Sequence, residues 1–276
     1  MNNAAAAIGG NYSDNININL FIQGDPGAGV LGQSQASYFN YTWAQITAGL
    51  QSDRKSADDF TATGAGGSTV NGSADPVSGA HSWWTTRAEA KALGLIPDDL
   101  VNDGIVTFGG LYTYDYNAAD GIDSGAIDFQ GVALHRISEV MGRVGLSGGN
   151  VNLSAGGTAA NTYSLIDAFS YAGLNARGLT TGPVQQFSID DGASLIRVFN
   201  GQAGSSRDWA GGNNDAFNTS FLSGVVNPMS AVDLRLLDVL GYDLVVTGVP
   251  EPSTVLLLIF GLIAGWAIRR RVEPKR

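Results

Sequence analysis

The sequence predicts an α+β fold for residues 1–248, with a twisted sheet that packs against a central helix and a closing helix. Near the start, apolar residues alternate with polar ones, which is typical of a half-buried strand. Later segments have apolar residues three and four positions apart, which is typical of helices. With 38 glycines and only 14% charged residues, the chain is rich in turns. We therefore expect one loop-rich folded unit of mixed class.

The first half of the chain is expected to contain two strands and two helices. Apolar side chains at every second position predict the first strand, and helical spacing or a run of good helix formers predicts the helices. In chain order, the expected elements are a strand over 16–22, helices over 41–50 and 85–95, and a strand over 104–108. Residues 62–80 are polar and rich in glycine and serine, so we expect a loop there.

The second half contains the most informative helix, over residues 127–144. Its apolar residues recur at intervals of three and four, namely Val132, Leu134, Ile137, Val140, Met141 and Val144. Gly142 and Gly145 indicate where it ends. The elements expected after it are a second helix over 163–171, a hairpin over 187–199 and a closing helix over 234–242. Ser230 is the expected N-cap of the closing helix, with Asp233 three residues later.

The body of the protein is more acidic than the whole chain. Of the 15 basic and 25 acidic residues, five and two lie in residues 249–276, so the preceding residues carry ten basic and 23 acidic residues, a net charge of −13. Such a surface repels phosphate backbones, so nucleic acid is not an expected partner. The chain has no cysteine, which excludes disulfides, thiolate metal sites and a thiol nucleophile.

Residues 249–276 contain a short apolar segment with a basic flank. Residues 254–268 carry no charge, and as a helix they would be about 22 Å long, less than the hydrocarbon core of about 30 Å. Snorkelling of Arg269, Arg270 and Arg271 and local thinning of the bilayer make up the difference. Since basic flanks stay on the cytoplasmic side, we expect a transmembrane helix that anchors a precursor in the inner membrane with the body outside.

A proline motif precedes this segment. Pro250 and Pro252 bracket Glu251 and hold the chain extended, in a form that a membrane processing enzyme can grip. Motif, apolar run and arginine cluster occur in this order and resemble the PEP-CTERM sorting signal, which in its family is read by an exosortase. The resemblance implies a protein of the Gram-negative cell envelope, first anchored in the membrane and then attached to the surface or secreted. The alternative is an ordinary C-terminal anchor with an incidental Pro-Glu-Pro.

An exported protein needs an N-terminal signal peptide. The first ten residues lack the basic start and the apolar run of about 7 to 15 residues that such a signal has. We therefore expect the true start of translation to lie upstream of Met1.

The central helix carries a candidate metal site. His135 and Glu139 are four residues apart, so they project from one face of the helix and can share an ion. Imidazole and carboxylate are both zinc ligands. Alternatively, His135 is a structural histidine whose hydrogen-bond partners lie inside the protein, and Glu139 is a surface acid.

Several segments spread over nearly the whole body share a second resemblance. They are Asn-Ile-Asn-Ile at 15–18, Gly-Val-Leu-Gly-Gln-Ser at 29–34, the helical segment 132–143, Phe-Ser-Ile-Asp at 187–190, Asp208-Trp209 and residues 232–242. These segments resemble a family of PEP-CTERM proteins regarded as zinc metalloproteases, similar in layout to the metzincins. The resemblance implies a single metzincin-like domain, a zinc cofactor and peptide hydrolysis.

The metzincin zinc signature is only partly met. His135 matches the first ligand, Glu139 stands where the second histidine would be, and the third position falls on a glycine. A replacement third ligand is expected from Asp167, an acid among apolar neighbours that needs a partner when buried. Alternatively, Asp167 pairs with Arg177 or Arg143.

The residue beside the first ligand is the main departure from a peptidase. Arg136 stands where a zinc peptidase needs a carboxylate to take a proton from the attacking water. Arginine stays protonated and cannot accept it, and a cation beside a metal ion lowers metal affinity. Unless Arg136 turns away or pairs with Glu139 or an aspartate, peptidase chemistry is expected to fail.

Three hypotheses about function stay open. The leading one is an exported, zinc-metallopeptidase-like protein with weakened or lost activity. The second is a non-enzymatic matrix or surface protein that binds a peptide or an extracellular polymer. The third treats the helix motif as fortuitous, in which case His135, Glu139 and Asp167 do not converge in space.

Calcium is a further candidate cofactor. Extracellular acidic loops often bind it, and the acids concerned are Asp115, Asp120, Asp123 and Asp128. Their spacing does not fit an EF-hand, because Asp120 occupies the position where glycine is required. A solvated loop is the alternative.

Overall fold

A computed structural model describes residues 1–64, 70, 74–153, 156–180, 184–201 and 207–245. The chain divides into two compact units, Met1–Leu244 and Val245–Arg276. The first unit has the predicted mixed α+β composition, but several sheets take the place of one twisted sheet. The predicted boundary between residues 248 and 249 lies outside the described residues and stays a prediction.

The described residues contain seven α-helices and thirteen strands. The helices are α1 (Asn2–Gly9), α2 (Trp43–Asp53), α3 (Ala57–Thr63), α4 (Arg87–Ala92), α5 (Phe129–Val140), α6 (Leu165–Ala168) and α7 (Ala231–Val239). The strands are β1 (Leu20–Asp25), β2 (Gly32–Ala36), β3 (Tyr38–Tyr41), β4 (Ser82–Thr86), β5 (Gly104–Gly109), β6 (Tyr114–Asp115), β7 (Ile127–Asp128), β8 (Gly149–Asn152), β9 (Thr158–Ser164), β10 (Ser170–Gly173), β11 (Ala176–Arg177), β12 (Gln185–Phe187) and β13 (Arg197–Phe199).

Two of the four sheets are mixed. In the first, β5 lies between β1, which runs parallel to it, and β2, which runs antiparallel. The second has the order β3-β4-β9-β8, with β4 and β9 parallel. Ser37 alone separates β2 from β3, so the chain passes directly from one sheet to the next. A third, antiparallel sheet has the order β11-β10-β12-β13, and β6 pairs with β7.

Helix α5 packs very closely against the first sheet. A Cβ atom on Gly104 of β5 would lie 2.6 Å from Cγ1 of Val140, so only glycine allows this approach. At the start of α5, Asp128 Oδ1 accepts a hydrogen bond from a backbone N–H of the first turn at 3.0 Å. Beyond its end, Gly142 has a φ of +112°, which favours glycine. The predicted central helix is therefore confirmed, although it is shorter at both ends.

The first predicted strand begins later than its pattern indicates. Residues 16–19 form no strand pairing. Their backbone instead donates to acidic side chains, from Asn17 N to Asp98 Oδ1 at 2.9 Å and from Asn19 N to Asp103 Oδ2 at 2.7 Å. Carboxylates thus take the place of a neighbouring strand until β1 begins.

The predicted helix over 163–171 is wrong for most of its length. Its first residues belong to β9, a single turn forms α6, and its last residues belong to β10. Pairing of β9 with β4 and of β10 with β12 determines their conformation. Tertiary pairing outweighs the local helical pattern here. The hairpin over 187–199 is confirmed, because β12 and β13 pair antiparallel.

The closing helix is confirmed as α7, with the predicted cap. The Ser230 side chain accepts a hydrogen bond from Asp233 N, and Ser230 N donates to Asp233 Oδ2 at 2.7 Å. Both residues also contact the third sheet and its neighbouring loop, since Trp209 Nε1 donates to Asp233 Oδ1 at 2.6 Å and Arg197 Nη1 donates to Ser230 Oγ at 3.2 Å. The start of α7 is therefore fixed by local and distant partners together.

Two buried aspartates of α7 are expected to make stability depend on pH. Burial, together with Asp215, raises the pKa of Asp233 to about 7, and burial, together with Asp59, raises the pKa of Asp238 to about 7. In the unfolded chain both groups titrate near their ordinary value of 3.8. The folded form therefore binds these protons more tightly, and their stabilising contribution is lost as the pH rises through about 7.

We expect the midpoint temperature of thermal unfolding to decrease as the pH rises from about 4 to about 7, and these two groups to add no further change above that pH. Circular dichroism in the presence of a chelator measures it. Asp238→Asn should reduce this slope, because the amide does not titrate, whereas Asp120→Asn on the exposed loop should leave it unchanged. An unfolding midpoint that rises over this range would contradict the assignment.

Candidate functional site

His135 lies at the centre of a buried polar cluster on α5, and its side chain is 1% exposed. Nδ1 lies 2.8 Å from the carbonyl oxygen of Ala216, which can only accept, so Nδ1 donates a proton to it. Nε2 lies 3.2 Å from Glu139 Oε1 and 3.3 Å from Asp208 Oδ1, and neither contact has hydrogen-bond geometry. The structure therefore brings together the two predicted helix residues and an acid from a distant loop.

The second ring nitrogen of His135 faces negative charge. With a proton on Nδ1, a neutral ring presents the Nε2 lone pair to two carboxylate oxygens, which repel it. Either a second proton on the ring or a metal cation between the three groups removes this repulsion. The ligand atoms of His135, Glu139 and Asp208 lie within 4.8 Å of one another. The cluster is thus a candidate centre for a divalent ion.

Two arginines neutralise the acids of the cluster. Arg136 Nη1 donates to both oxygens of Glu139, at 2.8 and 2.9 Å. Arg143 Nη1 donates to Asp208 Oδ1 at 2.5 Å, and the Arg143 side chain is fully buried. Ser34 Oγ, on β2, donates to Glu139 Oε2 at 2.6 Å. Arg136 therefore pairs with Glu139, one of the arrangements that the sequence left open.

These contacts keep both acids ionised. Burial raises the pKa of Glu139, but the histidine and the two arginines outweigh it and hold that pKa below its ordinary value. Burial likewise raises the pKa of Asp208, while Arg143 and His135 lower it further than burial raises it. With two carboxylates negative and two arginines positive, the cluster is balanced before any metal ion is counted.

A cleft of about 400 Å³ opens beside the cluster. The residues of β2 line it, together with Arg136, Glu139 and Val144. In the described part of the chain, β2 is an edge strand of its sheet, because β5 is its one partner there. The cleft thus lies along a strand that can pair with an extended ligand.

Asp167 lies apart from the cluster. Its Oδ2 accepts hydrogen bonds from three backbone N–H groups at 2.8 to 3.0 Å, those of Leu146, Ser147 and Ser164. Its Oδ1 accepts from Arg207 Nη2 at 2.7 Å, so its arginine partner is neither Arg177 nor Arg143. Asp208 takes the place beside the histidine that the sequence assigned to Asp167. A metal role for Asp167 stays a prediction, and these contacts do not favour it.

The acids considered for calcium bond mainly to the backbone. Asp128 caps α5, and Asp115 accepts hydrogen bonds from the backbone N–H groups of Asn117 and Asp123. Asp120 accepts one from the Asn117 side chain at 2.9 Å. Within the described ranges these acids form no group of three with ligand atoms in mutual reach. Calcium in this loop stays a prediction.

Sequence reasoning missed the acid that completes the cluster. Asp208 lies in a loop without periodicity, and nothing in its spacing links it to His135. The sequence offered two signals that were not used to place it: Asp208-Trp209 is a segment of the family resemblance, and Trp209 is a large side chain that is wholly buried in the structure. The other histidine, His81, pairs with Asp75 at 2.9 Å.

The end of the chain matches a known sorting signal. Residues 248–271 match the model of the PEP-CTERM protein-sorting motif. The match includes the Pro-Glu-Pro motif and the three arginines, so the predicted signal is confirmed. The motif indicates an exported surface protein of the Gram-negative cell envelope that is processed by an exosortase.

The body of the chain has no such match. A search of curated proteins and a search of solved structures each found none. The metallopeptidase resemblance and the zinc cofactor therefore stay predictions. Within the ranges that the structure describes, no helix is both long and apolar enough to span a membrane, and the predicted span over 254–268 lies outside them.

Proposed function

We propose that this exported protein is a zinc-metallopeptidase-like surface protein whose hydrolytic activity is impaired. The observation that carries the proposal is the pair between Arg136 and Glu139, in which the guanidinium contacts both carboxylate oxygens. The pairing offsets the charge of the arginine, but it also occupies Glu139 and so supplies no base. Arg136 stands where a peptidase needs a base, and it cannot accept a proton. Asp208 accepts a hydrogen bond from Arg143 through one oxygen, so each acid of the cluster is paired with an arginine and neither is free to replace the missing base.

The groups around His135 fit a zinc ion by their chemistry. His135 Nε2, Glu139 and Asp208 would be its protein ligands, one nitrogen and two oxygen donors. Zinc bound there would act as a Lewis acid toward a substrate carbonyl. The contact of Nδ1 with Ala216 supports this role, because it fixes the orientation of the ring. Arg136 and Arg143 disfavour zinc binding, because they place positive charge near a divalent cation.

A peptide or an extracellular polymer is the proposed ligand of the cleft. The edge of β2 offers backbone donors and acceptors to an extended chain. Arg136 and Glu139 line the same cleft and offer it one group of each charge. A ligand held there without cleavage would make the protein a surface binding module.

Metal content and proteolysis test the proposal together. The full chain and the variants His135→Ala, Arg136→Glu and Arg136→Gln are measured for zinc by mass spectrometry and assayed on an unfolded protein substrate. We expect near-stoichiometric zinc in the wild type, lost in His135→Ala. We expect hydrolysis only in Arg136→Glu, because glutamate restores a base whereas glutamine only removes the positive charge.

Three outcomes would contradict parts of the proposal. Hydrolysis by the wild type would show that activity is not impaired. Equal hydrolysis by the two Arg136 variants would show that the arginine charge, rather than a missing base, is inhibitory. If neither the wild type nor any variant binds zinc, the protein has no metallopeptidase-like zinc site, and that part of the proposal is wrong.

A non-enzymatic surface protein is the second candidate, and charge balance favours it. Arg136 and Arg143 already neutralise Glu139 and Asp208, so a dication would leave its own charge uncompensated in a buried place. The cluster would then hold α5 to its neighbours, and the protein would serve as a matrix or binding component. The zinc measurement separates the two candidates.

Altering the sorting motif should block processing. We expect Glu251→Ala, or glutamine at Arg269, Arg270 and Arg271, to leave the full-length protein in the membrane fraction, because the exosortase no longer recognises its signal. Immunoblots of membrane and extracellular fractions measure this. Glu273→Ala, beyond the matched residues, is the control and should be processed normally. Normal release of the motif variants would contradict the prediction.

A further inference from the structure

A second acidic cluster joins the beginning and the end of the described body. Asp14 belongs to the N-terminal segment, Asp53 ends α2, and Asp243 follows α7, yet their ligand atoms lie within 4.8 Å of one another. Asp243 N donates to Asp14 Oδ2 at 2.9 Å, and Ser13 N donates to the carbonyl oxygen of Asp243 at 2.7 Å. The three acids thus meet where two distant parts of the chain are held together.

The cluster of Asp14, Asp53 and Asp243 carries more negative charge than Lys55 balances. Lys55 contacts Asp243 Oδ2, but its side chain is 59% exposed, so water screens the ion pair. The cluster places three carboxylates against this one ammonium group. One exposed ammonium group therefore leaves the carboxylates repelling one another.

One oxygen of the cluster has no donor. The Asp243 side chain is 3% exposed, and its Oδ1 is buried without a hydrogen bond, while Oδ2 meets Lys55. Buried carboxylate oxygens in folded proteins are nearly always satisfied. A cation beside this acceptor and the two neighbouring carboxylates, which are half-buried, would satisfy it.

We propose that Asp14, Asp53 and Asp243 bind a calcium ion that fastens the first and last segments of the body together. All the donors are oxygens, which suits a hard cation rather than zinc. Calcium tolerates the irregular geometry of acids from three separate segments, whereas magnesium needs a near-ideal octahedron. Helix α2 ends at Asp53, so its C-terminal carbonyl groups also favour a cation there.

Calcium occupies this site only after export. Extracellular modules bind calcium with dissociation constants of about 10⁻⁴ to 10⁻³ M, well above the free concentration inside cells. The sorting motif directs the protein to the cell surface, where calcium is more abundant. The ion therefore stabilises the body where the protein functions. The site is independent of His135 and of the proposed metallopeptidase-like function.

Thermal unfolding and calorimetric titration test the site on the full chain. The protein is first treated with a chelator and then titrated with calcium, magnesium or zinc chloride. The site variants are Asp53→Asn and Asp14→Asn. Asp120→Asn, in the acidic loop, and His135→Ala, on α5, are the matched controls.

The unfolding midpoint of the wild type should rise steadily with the logarithm of calcium concentration. Asp53→Asn and Asp14→Asn should weaken calcium binding at least about tenfold, as expected for the loss of a ligand. In chelator, Asp53→Asn should unfold no earlier than the wild type, because it removes repulsion, and this shows that the variant folds. Both controls should respond to calcium as the wild type does.

The absence of any calcium response in the wild type would overturn the proposal. So would an unchanged response in both site variants, or a response abolished by Asp120→Asn, which would move the ion to the acidic loop. Zinc content is measured on the same preparations, so that failure of the calcium site can be distinguished from failure of the zinc site. Loss of zinc in His135→Ala with calcium binding intact supports both, whereas no zinc in any sample contradicts the metallopeptidase-like site alone.

Discussion

Asp167→Ala is expected to lower the free energy of unfolding by about 3–5 kcal/mol, whether or not zinc is present. The carboxylate is fully buried and pairs with the buried Arg207 at 2.7 Å. It also accepts three backbone hydrogen bonds that join the start of α6 to the chain after α5. Alanine deprives a guanidinium in the core of its acid partner and leaves these N–H groups without their acceptor. Since domains are stable by about 5–15 kcal/mol, this loss is a large fraction of the total.

Urea unfolding followed by tryptophan fluorescence measures this loss. Asp58→Ala is the matched control, because it removes the acid of an aspartate–arginine pair with Arg235 whose side chains are 23% and 37% exposed. That exposed pair should contribute less than about 1 kcal/mol. If Asp167→Ala loses zinc but keeps its stability, Asp167 is a metal ligand, as the sequence alone suggested.

Arg143→Met should destabilise the chelated protein by a similar amount, about 3–5 kcal/mol. The arginine side chain is fully buried, donates to Asp208 and Ser138, and lies over the Phe217 ring at 4.5 Å. Methionine fills part of the space but leaves Asp208 charged and enclosed beside the repelled Nε2 of His135. A buried acid that loses its cation is costly because neither water nor another charge replaces it.

The control for this variant is Arg235→Met, which removes the cation of the exposed pair with Asp58 and should have an effect below about 1 kcal/mol. Adding zinc provides a second comparison. If zinc binds between His135 and the two acids, it should restore part of the stability that Arg143→Met loses. A loss below about 1 kcal/mol in chelator would contradict the view that the cluster depends on its arginines.

The elements that the sequence predicted best are those with their own local signals. Helix α5 has an apolar face and a terminal glycine, and α7 has a capping box formed by Ser230 and Asp233. Residues 163–171 have a comparable apolar spacing, but the residues at both ends of this segment pair with strands β4 and β12. A local pattern cannot reveal such partners, and the helix was therefore predicted where strands form.

The residues of the candidate site also differ in how well the sequence predicted them. His135 and Glu139 lie four apart on one helix, so their spacing alone places them together. Asp208 is far from both residues in sequence, and the tertiary fold brings it beside them. Its burial next to Trp209 distinguishes it from other loop acids. Asp167 is an acid among apolar residues, which correctly indicates burial but not its partner. Sequence reasoning predicted a buried charge at Asp167 but not at Asp208, and it could not predict the three-dimensional pairing of either acid.

The cap of α5 has a consequence for how the chain is made. Asp128 holds the first turn of α5 with Oδ1, and its Oδ2 accepts a hydrogen bond at 2.8 Å from Asn227 N, 99 residues later. Ser13 and Asp243 are joined across 230 residues. A ribosome therefore releases nearly all of the body before these contacts can close, and loop closure of this length slows folding. The body therefore cannot complete its fold until nearly all of it has been synthesised, and an incompletely folded chain is the form that a translocation channel can thread across a membrane.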